Sequence, residues 1–240
     1  MKIEFNARRG ATVALAVLVL AALAAAPAAA QYYGGDNTLR FRGGLFEPDG
    51  DSQYWDDAEA LFSGDASELE DTVIGVDYRR SLDPAGRFSL LVSGSAYEGE
   101  DRREDLFFVD ELGFPIEHDV FFTLATFTAG VNINLIPHGP IRPYVGAGGG
   151  YYVWELEETG DFVFSTSAGD EIFFETFIDD GATFGYYYLA GVEVPINPSF
   201  GLFAEARWHR ADDELSDDFE DFGELDLSGR EITGGFSWTF

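Results

Sequence analysis

Apolar residues alternate with small or polar residues in eight separate stretches of this chain. The stretches lie at residues 37–47, 71–81, 87–98, 120–135, 142–156, 182–195, 200–211 and 231–240. A period of two places alternate side chains on opposite faces of a β-strand. Each stretch is about long enough to cross a bilayer as a tilted strand. The pattern therefore predicts an all-β chain of eight antiparallel strands, each with one apolar face.

The connections between these stretches alternate in length. Short, turn-forming sequences occupy residues 83–86, 137–140 and 197–198, whereas the other four links are long. Short turns at one rim and long loops at the other are typical of a transmembrane β-barrel. A soluble barrel of the lipocalin kind is the alternative, but it would expose the charged face of the strands beside strongly acidic loops. The pattern favours the membrane barrel.

The first thirty residues have the plan of an export signal. Lys2, Arg8 and Arg9 precede an apolar stretch at residues 11–26, and small residues follow at 28–30. About 20 apolar residues are needed for a membrane-spanning helix, so this stretch is too short for one. The sequence predicts a signal peptide at residues 1–30, cleavage near Ala30/Gln31, and a barrel domain at residues 31–240.

Charge excludes several classes of function. The chain has 44 acidic and 14 basic residues, a formal net charge of −30 and no cysteine. A nucleic-acid partner is excluded because no basic face can be assembled to neutralise phosphates. The one lysine, Lys2, lies in the predicted signal, which excludes lysine-based chemistry. Without disulfides, the fold must be held by burial and strand pairing.

The polar face of the strands carries charges of both signs. Eight strands enclose only enough space for side chains to fill, and charges kept from water need partners. We therefore predict an ion-pair network inside the barrel, with a narrow channel as the alternative. Its members are Arg40, Arg42, Asp77, Arg79, Glu193, Glu205, Arg207, His209 and Glu231.

Two segments resemble a known family. Residues 142–152, Arg-Pro-Tyr-Val-Gly-Ala-Gly-Gly-Gly-Tyr-Tyr, and the terminal Gly-Phe-Ser-Trp-Thr-Phe at residues 235–240 resemble the small outer-membrane β-barrels of the OmpA, OmpX and OmpW types. The resemblance implies a barrel surrounded by outer-membrane lipid. It also implies that the barrel-assembly machinery recognises the last strand through Phe236, Trp238 and Phe240.

The four long links are strongly acidic. They hold 36 of the 44 acidic residues, nine in each of the stretches 49–71, 98–119, 155–180 and 212–226. The expected result is a solvated, self-repelling surface. A weak Ca²⁺ or Mg²⁺ site is the alternative, because carboxylates are ligands for these cations. Its candidate ligands are Asp49, Asp51, Asp212, Asp213 and Glu214.

A hairpin is predicted within the third long link, where apolar residues alternate at 162–164 and 172–174 around a turn at Ala168-Gly169-Asp170. It is expected to extend the fifth and sixth strands beyond the membrane; a ten-stranded barrel is the alternative.

No catalytic residues and no firmly bound cofactor are predicted. His118, His138 and His209 lack the serine or cysteine partner that a nucleophilic site requires. The expected function is envelope-structural or surface interaction with an unidentified extracellular ligand. A narrow channel for small solutes is the main alternative, and a lipid-modifying or proteolytic barrel enzyme is another.

Overall fold

The computed structural model describes residues 37–167 and 169–240 and contains a closed antiparallel barrel of eight strands. The predicted signal peptide and its cleavage site lie outside the described residues. The barrel strands are β1 (Asn37–Pro48), β2 (Asp71–Ser81), β3 (Phe88–Val109), β4 (Pro115–Asn134), β5 (Arg142–Thr166), β6 (Gly169–Pro195), β7 (Phe200–Arg210) and β10 (Gly229–Thr239). The eight-strand prediction is confirmed, because β1 pairs with both β2 and β10 and closes the ring.

Four strands are much longer than the sequence pattern suggested. β3, β4, β5 and β6 contain 22, 20, 25 and 27 residues. The predicted long loop at 98–119 is therefore wrong, since most of its residues continue the β3–β4 ladder. The alternation of apolar and polar residues is obscured in the extended parts, because charged side chains occupy both faces of the strands. The four strands rise beyond the barrel as a curved sheet.

The hairpin in the third long link extends β5 and β6, as predicted. Phe162 pairs with Phe173, and the ladder continues to Thr166 and Gly169. These residues prolong strands that already belong to the ring, so the ten-stranded alternative is wrong.

The other two long links pack against this curved sheet. The link after β1 contains helix α1 (Gln53–Leu61) and a 3-10 helix (Ala66–Leu69). The link after β7 contains the short strands β8 (Asp212–Glu214) and β9 (Glu224–Asp226) around a 3-10 helix (Asp217–Phe222). We call these two links the cap. Among the described residues, no helix is long and apolar enough to cross a bilayer, a finding that does not bear on crossing by strands.

The outer surface has an apolar band that ends in charge. Outward residues such as Ile74, Val131 and Leu202 are exposed along the band. Above it, towards the long connections, outward positions become charged, a set that we call the charged ring: Glu47, Glu98, Glu155, Asp180, Arg210 and Arg230. On β3 the band runs from Phe88 to Ala96, which matches the roughly 9–11 residues of a membrane-crossing strand.

Candidate functional site

The interior of the banded half of the barrel is a cluster of charged side chains. All nine residues predicted for the lumen point inward and are buried there. They come from β1, β2, β6, β7 and β10, where the period of two places these charged residues on the inward face. We call this set the lumen cluster.

Cations and anions alternate at the centre of the lumen cluster. Arg40 lies 2.9 Å from Glu205 and 3.7 Å from Asp77. Arg207 bridges the same two carboxylates, at 2.7 Å from Glu205 and 3.7 Å from Asp77. Arg42 lies 3.2 Å from Asp77 and also pairs with Glu231. Three guanidinium groups thus face three carboxylates, so the charges balance where water is excluded.

The remaining members lie above and below this centre. Arg79 pairs with Glu193 at 2.8 Å near the short turns, and Ser237 donates a hydrogen bond to Glu193 at 2.9 Å. On the opposite side, His209 Nε2 lies 3.3 Å from Glu231 and its Nδ1 lies 3.0 Å from the Tyr152 hydroxyl. The network therefore extends along the lumen.

Aromatic residues complete the lumen cluster, although the predicted ion-pair network did not include them. The Tyr144 hydroxyl accepts a hydrogen bond from Arg40 at 2.7 Å and donates one to Glu205 at 2.9 Å. The Arg40 guanidinium also lies 3.7 Å from the centre of the Phe203 ring. Space for Tyr144 comes from Gly191, where a Cβ would lie 2.5 Å from the phenol. The inward glycines that alternate with large residues were the available signal.

Beyond the charged ring the interior is apolar instead. Trp55 and Tyr54 from the cap pack against Phe122, Leu124 and Trp154 of the extended strands. Other buried members include Leu69, Leu156, Phe219, Leu225 and Leu227. We call this the cap core. These two links are packed on the barrel rather than solvated throughout, because their sparse apolar residues are gathered on one side.

Four titratable side chains are buried at the edge of the cap core: Tyr54, Arg103, His118 and Glu158. The Tyr54 hydroxyl donates a short hydrogen bond to Glu158, and His118 Nε2 lies 4.0 Å from the same carboxylate. The rings of Phe62 and Phe162 lie 4.4 and 4.9 Å from the His118 ring. His118 is therefore part of a buried contact between the cap and β4, rather than a residue of an acidic loop as predicted.

Burial governs the protonation of this group. Desolvation, with the nearby Arg103 guanidinium, lowers the pKa of His118 from 6.5 to about 4. Desolvation raises the pKa of Glu158, and burial beside Glu158 raises the pKa of Tyr54 well above its ordinary value. At neutral pH the His118 ring is neutral.

The candidate cation ligands lie on the cap. Asp49, Asp51 and Asp212 line one cavity of about 260 Å³, but Arg210 is also in its wall and pairs with Asp49. Asp213 accepts a hydrogen bond from the Trp154 indole at 2.8 Å. Glu214 lines a different hollow. Among the described residues, no group of three or more carboxylate or histidine side chains is arranged to hold a metal ion. Weak cation binding stays a prediction.

The terminal aromatic residues lie on the lipid-facing side. Phe236 stacks on Phe41 with ring centres 5.0 Å apart, and the Trp238 and Phe240 rings are also 5.0 Å apart. The Phe240 amide donates to the Asn37 carbonyl at 2.9 Å, which joins the two strand ends. Recognition of these residues by the assembly machinery stays a prediction.

A closed eight-stranded ring with an apolar outer band and short turns at one rim defines a transmembrane barrel. The family model described as outer membrane protein beta-barrel domain matches residues 15–240. The chain belongs to this family, and it is an outer-membrane protein with transmembrane strands. We refer below to the long-connection end as extracellular.

Solved structures share this fold. Neisserial surface protein A is 12% identical, with 87% of this chain and 100% of that chain covered and a TM-score of 0.48. The attachment invasion locus protein Ail of Yersinia pestis is 13% identical, with the same coverage and a TM-score of 0.41. OprG of Pseudomonas aeruginosa is 11% identical, with 86% and 96% covered and a TM-score of 0.50. A search of curated proteins gives no match. These likenesses concern the fold and leave the role open.

Proposed function

We propose that this protein is a closed outer-membrane barrel that acts at the cell surface through its extracellular hairpins and cap. The observation that carries the proposal is the filled interior. The side chains of Arg40, Asp77, Glu205 and Arg207 have no exposed area, so the described side chains fill the lumen at this level. Such a lumen does not favour passage of solutes.

A second seal supports the same conclusion. Trp55 and Leu69 of the cap are completely buried against the extended strands above the lumen cluster. A solute would have to displace an apolar core and then an ion-pair network. Opening both would leave buried charges without partners, which costs several kcal/mol per ion.

The size of the extracellular part favours a role outside the membrane. On β5 and β6, eleven residues of each strand lie beyond Glu155 and Asp180 of the charged ring. Rigid hairpins that project from a membrane present side chains to other molecules, whereas a purely structural anchor does not require them.

The role can be tested by adherence. The variant for this test has its two hairpin tips, residues 106–114 and 163–173, replaced by short turns. The unmodified protein and the variant would each be displayed on a bacterium that has neither protein. We expect retention on polypeptide-coated surfaces and cultured cells to be lost in the variant while its amount in the outer membrane is unchanged. Equal retention by both would contradict the proposed role, as would a steady ion conductance through the intact protein.

We also infer that the chain is exported with cleavage near Ala30/Gln31. The support is the order of basic, apolar and small residues in the sequence. Amino-terminal sequencing of the membrane-inserted protein should begin at Gln31, and an uncleaved Met1 would contradict the inference.

A further inference from the structure

The β3–β4 hairpin ends in a cluster of exposed apolar side chains. We call it the tip, and its members are Leu106, Phe107, Phe108, Val109, Leu112 and Phe114. Leu112 is 81% exposed and Phe107 is 69% exposed. Along β3 the tip lies roughly 30 Å beyond Glu98 of the charged ring, so these side chains do not face the bilayer core. Contiguous exposed apolar side chains in water commonly mark an interaction site.

The backbone of the tip is held in place by its own carboxylates. The Asp105 side chain accepts hydrogen bonds from the Phe107 and Phe108 amides at 2.8 and 2.9 Å. The Asp110 side chain accepts from the Leu112 and Phe114 amides, both at 2.8 Å. The backbone that carries these exposed side chains is thus ordered before any partner arrives, which lowers the entropy lost on binding.

The charge around the tip selects among partners. Five carboxylates lie within residues 104–117, at Glu104, Asp105, Asp110, Glu111 and Glu117. The nearby cations are engaged: Arg102 pairs with Asp119 at 2.8 Å, and Arg103 is buried. A second copy of the tip or an anionic lipid surface would be repelled by this charge, whereas a cationic surface would be attracted.

We propose that the tip binds a cationic amphipathic polypeptide. Apolar side chains of the partner would pack against Phe107, Leu112 and Phe114, and its lysine or arginine side chains would pair with the surrounding carboxylates. This inference rests on the proposed surface role and names the chemical class of its partner. The apolar contacts supply affinity. The carboxylates supply the preference for a positively charged partner and speed its association.

Binding can be measured with a labelled synthetic helix of Leu and Lys, using protein in zwitterionic lipid discs with empty discs subtracted. The comparison peptide has Glu in place of each Lys. We expect the Lys peptide to bind at least about tenfold more tightly, with an affinity that falls as salt rises.

Substitutions localise the site. Phe107→Ser with Phe114→Ser should weaken binding of the Lys peptide by about tenfold or more. Asp110→Asn with Glu111→Gln should weaken it several-fold and reduce its salt dependence; Asn keeps the oxygen that accepts hydrogen bonds from the tip amides.

The matched controls are Phe174→Ser, which changes an exposed phenylalanine on the other hairpin, and Glu220→Gln with Asp221→Asn on the cap. Both controls should bind as the unmodified protein does. Unheated gel mobility would verify that every variant is folded.

The outcomes separate this inference from the proposed function. Equal binding of the Lys and Glu peptides, or binding unchanged by the tip substitutions, would overturn the inference while leaving adherence intact. Tip-dependent binding to zwitterionic vesicles without a preference for cationic peptide would also overturn it, in favour of contact with a membrane. Equal retention of the unmodified protein and the hairpin variant, with tip-dependent binding of the Lys peptide, would overturn the proposed function instead.

Discussion

The lumen cluster and the cap core fill two levels of one barrel with opposite chemistry. The inward row of β4 shows the change within a single strand. It carries Thr126, Thr128 and Asn132 in the membrane-spanning part and Val120, Phe122 and Leu124 beyond it. The outward row changes in the opposite sense, from Phe127 and Val131 to Glu117 and Asp119.

The difference teaches that the surrounding solvent sets the polarity of each face. Where lipid surrounds the barrel, apolar side chains face outward and polar ones must find partners inside. Where water surrounds it, the arrangement is that of a water-soluble protein: polar side chains face outward and apolar side chains are buried. The phase of the alternation therefore inverts near residue 124 of β4, and the interior changes from ion pairs to an apolar core.

The largest loss of stability is expected when the lumen cluster is broken. Glu205→Gln removes the nearer of the two carboxylates that Arg40 and Arg207 share, so we expect a loss of about 3–5 kcal/mol in the free energy of unfolding. Urea titration in lipid or detergent would measure it. Combined with Arg40→Gln, the double variant should lose less than the sum of the single losses, by about 1–3 kcal/mol. Strict additivity would contradict the pairing; Glu104→Gln, on the exposed hairpin, is the control.

A smaller effect is expected from opening the cap core. Trp55→Ala removes a completely buried ring and should destabilise the cap by about 3 kcal/mol. Hydrogen exchange should show faster exchange of residues 53–69 and unchanged protection of β7 and β10, because the lumen cluster does not depend on the cap. Equal loss of protection throughout would show that the two interiors form one cooperative unit.

Acidification should weaken the cap selectively. The folded pKa of His118 is about 4, below its ordinary 6.5, so the unfolded cap takes up a proton first as the pH falls. The stability that neutral His118 retains above pH 6.5 is lost between about 6.5 and 4, on the order of 3 kcal/mol. Glu158 has a raised pKa and opposes this trend, since its contribution is lost as the pH rises.

Comparison with a variant isolates the histidine. His118→Asn should flatten the decline in cap protection between pH 6.5 and 4, whereas His138→Asn, in an exposed turn, should not. An unchanged pH profile in His118→Asn would assign the acid sensitivity to other groups.

The smallest expected effect concerns cations on the cap. Weak, collective Ca²⁺ binding with a dissociation constant of about 10⁻⁴ to 10⁻³ M would stabilise the cap by about 1 kcal/mol at millimolar Ca²⁺. The melting temperature would be compared in CaCl₂ and NaCl at matched ionic strength. An equal rise in both salts would reduce the effect to screening.

The barrel could be predicted because membrane-spanning strands obey one simple pattern. Alternation at residues 71–81 and 200–211 needs no distant contact to be recognised, and it placed Asp77 and Arg207 on the inward face. The short turns then fixed the strand order, which the structure confirms.

The cap core could not be predicted because its contacts join distant segments. Trp55, Phe122 and Leu225 contribute to one core from a helix, a strand and a second long link. Trp55 and Leu225 stand among carboxylates in the sequence, so local composition indicated solvated loops there, and nothing in the sequence joined them to Phe122 of the fourth strand. The extended ends of β3 and β4 were missed because their pairing, rather than their hydropathy, makes them strands.

The central claim is that the barrel is closed twice, and planar-bilayer recording tests it most directly. Refolded protein would be compared with a variant in which residues 51–68 are replaced by a short polar linker, which removes the cap helix and leaves the lumen cluster in place. The account predicts no steady conductance from either protein, because the ion pairs of Arg40, Asp77, Glu205 and Arg207 close the lumen without the cap. A stable open conductance in the intact protein would contradict the account, and one that arises when the cap is removed would show that the lumen cluster does not seal the barrel.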